Sequence, residues 1–192
     1  MKALIIFAHP NPQSFNAAVL RTAKEELGKK GAEVKVKDLY TMQWNPVLSA
    51  SDFQQMLSGK IPDDIAQEQT DVTWADTLIL VSPIWWYSFP AILKGYIDRV
   101  LGQGFAYEYT ASGPRGLLTG KRAAVITTSG ADENTAKQTG MTDAINTSIV
   151  KGIFTFCGFS DMKYHNNYAV PMVSAEERQK MLEQVSAFVK AL

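Results

Sequence analysis

The chain has 192 residues, 46% of them hydrophobic, and its 19 Lys and Arg residues balance its 19 Asp and Glu residues for a formal net charge of zero. This length suits one α/β domain over residues 1–192, and the charge balance argues against nucleic-acid binding and against a strongly acidic electron carrier. No apolar run approaches the ~18 residues of a membrane helix, and the single cysteine, Cys157, fits a reducing compartment. We therefore expect a cytoplasmic protein with no nucleic-acid partner and no membrane insertion.

The first part of the chain predicts two strands that flank a helix. The apolar run Lys2–Phe7 predicts the first strand. Ser14 is a good N-cap for a helix that continues to about Lys30 and ends at Gly31. Apolar and polar residues then alternate over Glu33–Leu39, which predicts the second strand.

Two helices and a buried strand are predicted next. Residues 51–54 read Ser-Asp-Phe-Gln, which resembles a capping box and predicts a short helix toward Leu57. A further helix is expected over Asp63–Ala75. The short, β-branched run Thr77–Val81 is typical of a buried third strand, and another helix is expected to begin near Pro90.

The last part of the chain predicts two more strands and two more helices. Lys121–Thr128 is expected to form the fourth strand, and one long helix is expected from about Asn134 to Cys157. A polar fifth strand is expected near Met162–Val170. The sequence Ser174-Ala175-Glu176-Glu177 resembles a second capping box and predicts a C-terminal helix to about Lys190.

Strands and helices that alternate at this spacing imply parallel strands joined by right-handed crossovers, with helices on both faces. We expect a three-layer, doubly wound α/β fold whose five parallel strands follow the flavodoxin-like order 2-1-3-4-5. In such a sheet a ligand lies beyond the carboxyl ends of the strands, where the strand order reverses. The loops expected there cover residues 8–13, 82–89 and 128–132.

Four large aromatic side chains occupy the loop after the third strand. Loops normally run over the surface, so Trp85, Trp86, Tyr87 and Phe89 need something flat and apolar to cover. A planar cofactor or ligand is one interpretation. The alternative is that the rings pack under a neighbouring loop or a partner subunit.

The loop after the first strand joins polar side chains to a helix N-terminus. Ser14 and the backbone N–H groups of Phe15 and Asn16 would lie where the helix dipole and unpaired donors favour a phosphate. The side chains of His9 and Asn16 would add donors. The alternative is an ordinary capped helix with a solvated His9.

The loop after the fourth strand consists of small residues. The hydroxyl and N–H groups of Thr127, Thr128 and Ser129 suit the polar edge of a heteroaromatic ring, and Gly130 permits close backbone approach. The alternative is a plain strand-to-helix turn. Together the three loops offer phosphate donors, an aromatic wall and small polar groups, which are the features that a flavin needs.

Six motifs spread over most of the chain can be compared with known families. They are His9-Pro10 with Ser14-Phe15-Asn16, Pro83-Ile84-Trp85-Trp86, Pro90-Ala91-Ile92-Leu93-Lys94-Gly95, Phe105-Ala106-Tyr107-x-Tyr109, Thr127-Thr128-x-Gly130 and Phe156-Cys157-Gly158-Phe159. Together they resemble the NAD(P)H:quinone oxidoreductases of the DT-diaphorase type, in their small bacterial branch. The most specific part is the Pro90–Gly95 block joined to the aromatic loop before it.

The resemblance implies a flavoprotein that takes hydride from NAD(P)H and passes it to a quinone-like acceptor. By the same resemblance, Tyr107 and Tyr109 would close the substrate pocket of the partner subunit, since family members are homodimers with the active site at the interface. The resemblance also implies a set of cofactor-binding residues. His9, Ser14, Phe15 and Asn16 would hold the flavin phosphate or pyrophosphate, Pro83, Ile84, Trp85, Trp86 and Tyr87 would line the isoalloxazine, and Thr127, Thr128, Ser129 and Gly130 would touch its other edge.

Two departures from that family affect the expectations. In the mammalian enzyme a tyrosine and a histidine after the Thr-Thr-Gly-Gly motif relay a proton, whereas residues 131–141 contain neither, so we name no catalytic residue. The segment between Tyr40 and Ile61 is shorter than the one that helps cover adenine there, so FMN stays an alternative to the favoured FAD. Two other functions also stay open, namely a regulatory flavoprotein subunit of a potassium efflux system and an FMN electron carrier.

Three side chains outside the loops have simpler interpretations. We expect Trp44 to anchor its own loop and Cys157 to be a small buried group without a redox role. Arg99 lies on the helix after the aromatic loop, and we expect it to face solvent or a partner subunit.

Overall fold

The computed structural model describes residues 1–192, and its apolar runs form the central strands of a parallel sheet. The strands are β1 (Lys2–Phe7), β2 (Glu33–Asp38), β3 (Thr77–Pro83), β4 (Tyr107–Thr110), β5 (Gly113–Gly116), β6 (Arg122–Thr128) and β7 (Asp161–Asn167). Five of them form one sheet in the order β2-β1-β3-β6-β7, with every neighbouring pair parallel, and β4 and β5 form a separate antiparallel hairpin. Counted along the sheet strands alone, this is the predicted order 2-1-3-4-5.

Helices cover both faces of the sheet. They are α1 (Phe15–Lys29), α2 (Ala50–Leu57), α3 (Asp63–Trp74), α4 (Ala91–Val100), α5 (Glu133–Gln138), α6 (Met141–Ile145) and α7 (Ala175–Lys190). α6 continues directly into a π-helical segment, Asn146–Thr155. No helix combines the length and the apolar character that a bilayer crossing requires.

The alternation of side chains along each strand divides the core into two layers. Leu4 and Leu80 point toward α3, α4 and the π-helical segment, in a cluster of 27 buried residues. Ile5 and Val81 point toward α1 and α7, in a cluster of 13. Because a fully buried Leu, Ile or Val contributes about 1.5–3 kcal/mol, these two layers hold the sheet and its loops in place.

One predicted helix start is two residues away from the real one. The N-cap of α2 is Ser49, whose Oγ accepts a hydrogen bond from the Asp52 N–H while the Asp52 carboxylate accepts one from the Ser49 N–H, at 3.1 and 2.9 Å. Ser51 lies inside the helix. The second predicted capping box is confirmed, since Ser174 and Glu177 exchange the same two bonds at the start of α7.

The long helix expected from Asn134 to Cys157 is instead divided into three. α5 ends before Gly140, whose left-handed backbone, with φ +77°, interrupts the helix, and α6 then changes to π-helical hydrogen bonding. The fifth sheet strand ends at Asn167 rather than Val170. The β4–β5 hairpin was not predicted.

Arg99 is buried, contrary to the expectation that it would face solvent or a partner. Only 3% of its surface is exposed, its guanidinium donates to the carboxylates of Asp52 and Asp64, and it lies 4.9 Å from the Trp44 ring. These contacts fix the segment before α2, and α2 itself, against α4. The predicted anchoring role of Trp44 is consistent with its burial against α4.

Gly95 allows this close packing. A Cβ atom at Gly95 would lie 2.1 Å from the carbonyl oxygen of Pro46 and 2.5 Å from its Cα. No side chain larger than hydrogen fits there, because the obstructing atoms belong to the backbone. The glycine that ends the Pro90–Gly95 block therefore has a packing role, which sets how α4 and the aromatic loop before it are held.

Candidate functional site

Two adjoining clefts open at the carboxyl edge of the sheet, where the three unusual loops meet. We call one the helix cleft, of about 230 Å³, and the other the turn cleft, of about 420 Å³. Both clefts are lined by Ile84, Ser129 and Gly130. The helix cleft is completed by His9, Ser14, Phe15, Asn16, Pro83, Trp85, Thr128, Val170 and Pro171. The turn cleft is completed by Trp86, Tyr87, Ala131 and Met141.

The helix cleft has the features of an anion site. Ser14 caps α1 by accepting a hydrogen bond from the Ala17 N–H at 3.2 Å, and the N–H groups of Phe15 and Asn16 have no acceptor within the protein. These donors stand at the positive end of the dipole of a 15-residue helix. No Asp or Glu lines either cleft. The cleft therefore favours a negatively charged group such as a phosphate.

His9 lies beside this helix end and faces the aromatic loop. Its Nδ1 lies 3.0 Å from the Asn11 backbone nitrogen and 3.2 Å from the Asn11 carbonyl oxygen. In the tautomer in which Nδ1 accepts the Asn11 N–H, Nε2 carries the proton and is a donor. The ring centroids of His9 and Trp85 are 6.5 Å apart. The structure thus brings the first and second predicted loops together.

The aromatic loop is a tight turn with an unusual backbone. Trp85 and Ser88 exchange backbone hydrogen bonds of 2.9 and 3.0 Å, while Trp86 and Tyr87 between them have φ values of 51° and 59°. Left-handed backbone costs an L-residue about 1–2 kcal/mol, and such strain is typical of functional sites. The N–H groups of Trp86 and Tyr87 have no acceptor in the protein.

The four aromatic side chains of this loop have different environments. Trp86 is 99% exposed, and Trp85 and Tyr87 are also exposed. Phe89 is buried in the core and lines neither cleft. The packing interpretation therefore applies to Phe89. The other three side chains are free to contact a ligand or a partner.

The hydroxyl groups at the end of β6 and just after it form hydrogen bonds within the protein. Thr128 Oγ1 accepts a hydrogen bond from the Asn16 side chain at 2.9 Å, which ties β6 to the start of α1. Thr127 points to the opposite face, lines neither cleft and is bonded to β7. Ser129 donates to the carbonyl of Ala131 at 3.1 Å. The Ser129–Gly130 loop consequently presents mainly backbone atoms to the clefts, and the Thr128 hydroxyl beside it keeps a proton that no protein atom accepts.

Gly130 gives the two clefts their shared open wall. A Cβ atom built on it would meet no protein atom within 4 Å, and its φ is not in the left-handed region. The protein itself therefore does not require glycine there. The small residue instead leaves room for something that enters the clefts.

Tyr107 and Tyr109 are not brought into the clefts of their own chain. Both lie on β4, with their rings 5.8 Å apart and nearly perpendicular, and Tyr109 is 64% exposed. Phe156 joins them, with its ring 5.0 Å from that of Tyr107. Phe156 belongs to one of the six motifs, but it received no role because no pattern in the sequence connects it to the hairpin.

Comparison of the chain with known proteins identifies its family. A family described by its flavodoxin-like fold matches residues 1–189. A relative from Haemophilus influenzae, named an uncharacterized NAD(P)H oxidoreductase, is 38% identical over 184 residues, covering 95% of this chain and 91% of the relative. This chain belongs to the flavodoxin-like NAD(P)H:quinone oxidoreductase family.

Two further similarities place the chain among oxidoreductases of this family. It is 34% identical over 201 residues to human ribosyldihydronicotinamide dehydrogenase [quinone], covering 94% of this chain and 87% of the human protein. The solved structure of an NAD(P)H:quinone oxidoreductase from Methanothermobacter marburgensis superimposes with a TM-score of 0.90 at 27% identity. That match covers 99% of this chain and 96% of the other.

Proposed function

We propose that this chain is a flavin-dependent enzyme that uses NAD(P)H to reduce a quinone-like acceptor in the cytoplasm. The observation that carries the proposal is the pair of clefts joined at Ile84, Ser129 and Gly130, one with unpaired helix donors and the other with an aromatic turn. An anionic tail and a flat ring system joined by a short linker match such a pair.

The helix cleft would hold the flavin phosphate. The N–H groups of Phe15 and Asn16 would donate to its oxygens, the Ser14 cap would keep that helix end in place, and His9 would donate from Nε2. The Asn16 side chain would act through Thr128, to which it is bonded. We favour FAD over FMN because the His9 and Ser14–Asn16 motif resembles that of the FAD enzymes.

The turn cleft would hold the ring system. Ile84, Trp86 and Tyr87 line this cleft and would contact the ring, and Pro83 and Trp85 of the helix cleft would contact its near end. The unpaired N–H groups of the turn would bond its polar edge, and Gly130 would allow its close approach. Thr127 would support this wall from behind. A bound flavin would supply the group that accepts hydride from NAD(P)H and then passes it to the quinone-like acceptor. The backbone donors would be held ready for negative charge that develops on the ring edge.

The enzyme would act as a homodimer whose active site includes both copies. Tyr107 and Tyr109 support this, because they stand on a hairpin outside the clefts of their own chain and Tyr109 has most of its ring in solvent. In a dimer the two tyrosines would cover the turn cleft of the second copy. Exposed aromatic side chains are typical of the buried centre of an interface.

The first test is the visible spectrum of the protein reconstituted with FAD or FMN, before and after anaerobic addition of NADPH. We expect a bound-flavin band near ~450 nm that bleaches with NADPH and returns when a benzoquinone is added. A protein that binds neither flavin would refute the proposal. A bound flavin that NADPH does not reduce would favour an electron carrier or a regulatory flavoprotein.

The second test asks whether the tyrosines act across the interface. Gly130→Ala fills the cleft wall of a copy whose hairpin is intact, and Tyr109→Ala removes an exposed ring from a copy whose clefts are intact. Each variant alone should reduce quinone slowly. Mixed dimers should regain activity, because one of their two sites combines an intact cleft with an intact hairpin. Mixtures that gain no activity, despite proven subunit exchange, would contradict the shared site.

A further inference from the structure

A chain of four hydrogen-bonded polar side chains runs from β7 to the wall that the two clefts share. Tyr164 and Thr127 are joined through their hydroxyl oxygens at 2.9 Å, and Thr127 Oγ1 donates to Asn166 Oδ1 at 2.8 Å. Asn166 Nδ2 donates to Ser129 Oγ at 3.0 Å, and Ser129 Oγ donates to the Ala131 carbonyl at 3.1 Å. Thr127, Asn166 and Ser129 are all buried.

The direction of these hydrogen bonds is fixed by chemistry. A carbonyl oxygen only accepts, so Ser129 must give its single proton to Ala131 and must receive a bond from Asn166. The Asn166 amide therefore turns its NH₂ group toward Ser129 and its oxygen toward Thr127. Thr127 then donates its hydroxyl proton to Asn166 Oδ1 and accepts a hydrogen bond from the Tyr164 hydroxyl. Every donor points toward the Ser129–Ala131 loop.

Asn166 is the junction of this chain. It is the one side chain that contacts both Thr127 and Ser129, and it lies at the carboxyl end of β7, outside both clefts. Because Thr127 and Ser129 both donate their hydroxyl protons within the protein, the wall around Gly130 can reach a ligand chiefly through its backbone and through the Thr128 hydroxyl. That backbone is held by hydrogen bonds from the Ser129 N–H to the Asn167 carbonyl and from the Ala169 N–H to the Ala131 carbonyl, both of 2.9 Å. The bond from the Asn166 side chain to Ser129 Oγ is an additional anchor from β7, which fixes the Ser129 side chain as well.

We propose that Asn166 is a positioning residue, which holds the Ser129–Gly130–Ala131 backbone at the distance that the ring edge of the ligand needs. The inference rests on the proposed flavin function and deepens it. It assigns a role in binding to a β7 side chain that touches no cleft. Asn166 acts through Ser129 and is not itself a catalytic residue.

The test compares Asn166→Leu with Asn167→Leu, because the neighbouring residue is a matched control. Asn167 is also buried in β7, and its Nδ2 donates to the Thr127 carbonyl at 2.9 Å, but its side chain does not contact Ser129. Both changes keep a similar volume, add no charge and remove a buried amide. They should lower the melting temperature to a similar extent, since each leaves buried polar groups unpaired.

The readouts are the dissociation constants of FAD and FMN, measured by flavin fluorescence on the apo-protein, and the absorption maximum of the bound flavin. We expect Asn166→Leu to raise the dissociation constant about ten-fold and to shift the maximum, and Asn167→Leu to raise the constant less than about two-fold. Equal effects of the two variants would overturn the inference alone. A wild-type protein that binds neither flavin would overturn the proposed function as well.

A second pair of variants keeps the test decisive if Asn166→Leu does not fold. Tyr164→Phe removes the first donor of the chain. The control, Tyr96→Phe, removes another tyrosine hydroxyl with a single hydrogen bond, which goes to Glu68 between α3 and α4. We expect weaker flavin binding, by about two- to three-fold, only for Tyr164→Phe. Unchanged or equally weakened binding in the two phenylalanine variants would refute the positioning role.

Discussion

Replacing Gly95 by alanine tests the packing that holds the aromatic turn in place. The added Cβ would stand 2.1 Å from the Pro46 carbonyl oxygen, whereas a relaxed contact needs about 3.5 Å. The obstructing atoms are backbone, so α4 must move away by more than an ångström. That movement also stretches the bonds from Arg99 on α4 to Asp52 and to the carbonyl of Asn45.

The expected change in unfolding free energy for Gly95→Ala follows from two opposing contributions. Overpacking a tight contact costs about 1–3 kcal/mol, and alanine is favoured over glycine inside a helix by about 1 kcal/mol. Because the Arg99 contacts are weakened as well, we expect Gly95→Ala to lose about 2–3 kcal/mol of unfolding free energy. For a chain of this size the loss corresponds to a fall of about 4–12 °C in melting temperature.

Gly28→Ala is the matched control. Gly28 is also a helix glycine, on the exposed side of α1, and a Cβ there would meet no atom within 4 Å. It should therefore gain up to about 1 kcal/mol. Both variants are measured by urea unfolding, followed by far-ultraviolet circular dichroism. If Gly95→Ala loses less than about 0.5 kcal/mol, the close contact between α4 and Pro46 is wrong.

Four other outcomes follow from the structure. Gly130→Ala should keep the wild-type melting temperature but lose most flavin binding, as measured by fluorescence titration, because its Cβ meets no protein atom and lines both clefts. Arg99→Met should lose about 3 kcal/mol in urea unfolding, since it leaves the buried Asp52 carboxylate unpaired. Burial pushes the pKa of Asp52 upward, but hydrogen bonds from the Ser49 backbone and from Arg99 outweigh burial and lower it. The stability that Asp52 contributes should thus be complete above its unfolded pKa of about 4 and disappear as the pH falls through the lower folded value in acid titrations of the wild type, with a smaller loss in Arg99→Met, which keeps the Ser49 bonds but lacks the guanidinium. Burial raises the pKa of the Cys157 thiol to about 11, so iodoacetamide should label the native protein much more slowly than the urea-unfolded one at pH 8.

Patterns of neighbouring residues predicted most of the sheet correctly. β1 has the predicted bounds, because a short apolar run that ends at a turn-rich segment is typical of a central strand buried on both faces. The start of α1 at its Ser14 cap also follows from local chemistry. The start of α2 does not, since Ser49 and Ser51 are each followed three residues later by a polar acceptor, and only tertiary packing selects Ser49.

Long-range contacts explain what the sequence could not predict. Arg99 is buried because it bonds to Asp52 and Asp64, which lie more than 30 positions away in the sequence. The local pattern around Arg99 does not show these partners. The directions of Thr127 and Thr128 depend on the pleat of β6, which sends one side chain to β7 and the other to α1. Sequence reasoning identified the correct loops but could not assign each hydroxyl a partner.

The left-handed turn at Trp86 and Tyr87 has a consequence for how this sequence can change. Glycine would occupy either position without strain, and the Trp86 side chain has almost no protein contact to lose. Selection for a more stable chain would therefore remove these aromatic residues. Their presence means that the turn is kept by a demand other than folding. If a library of random variants is ranked once by heat resistance and once by ligand binding, substitutions in this turn should differ most between the two rankings.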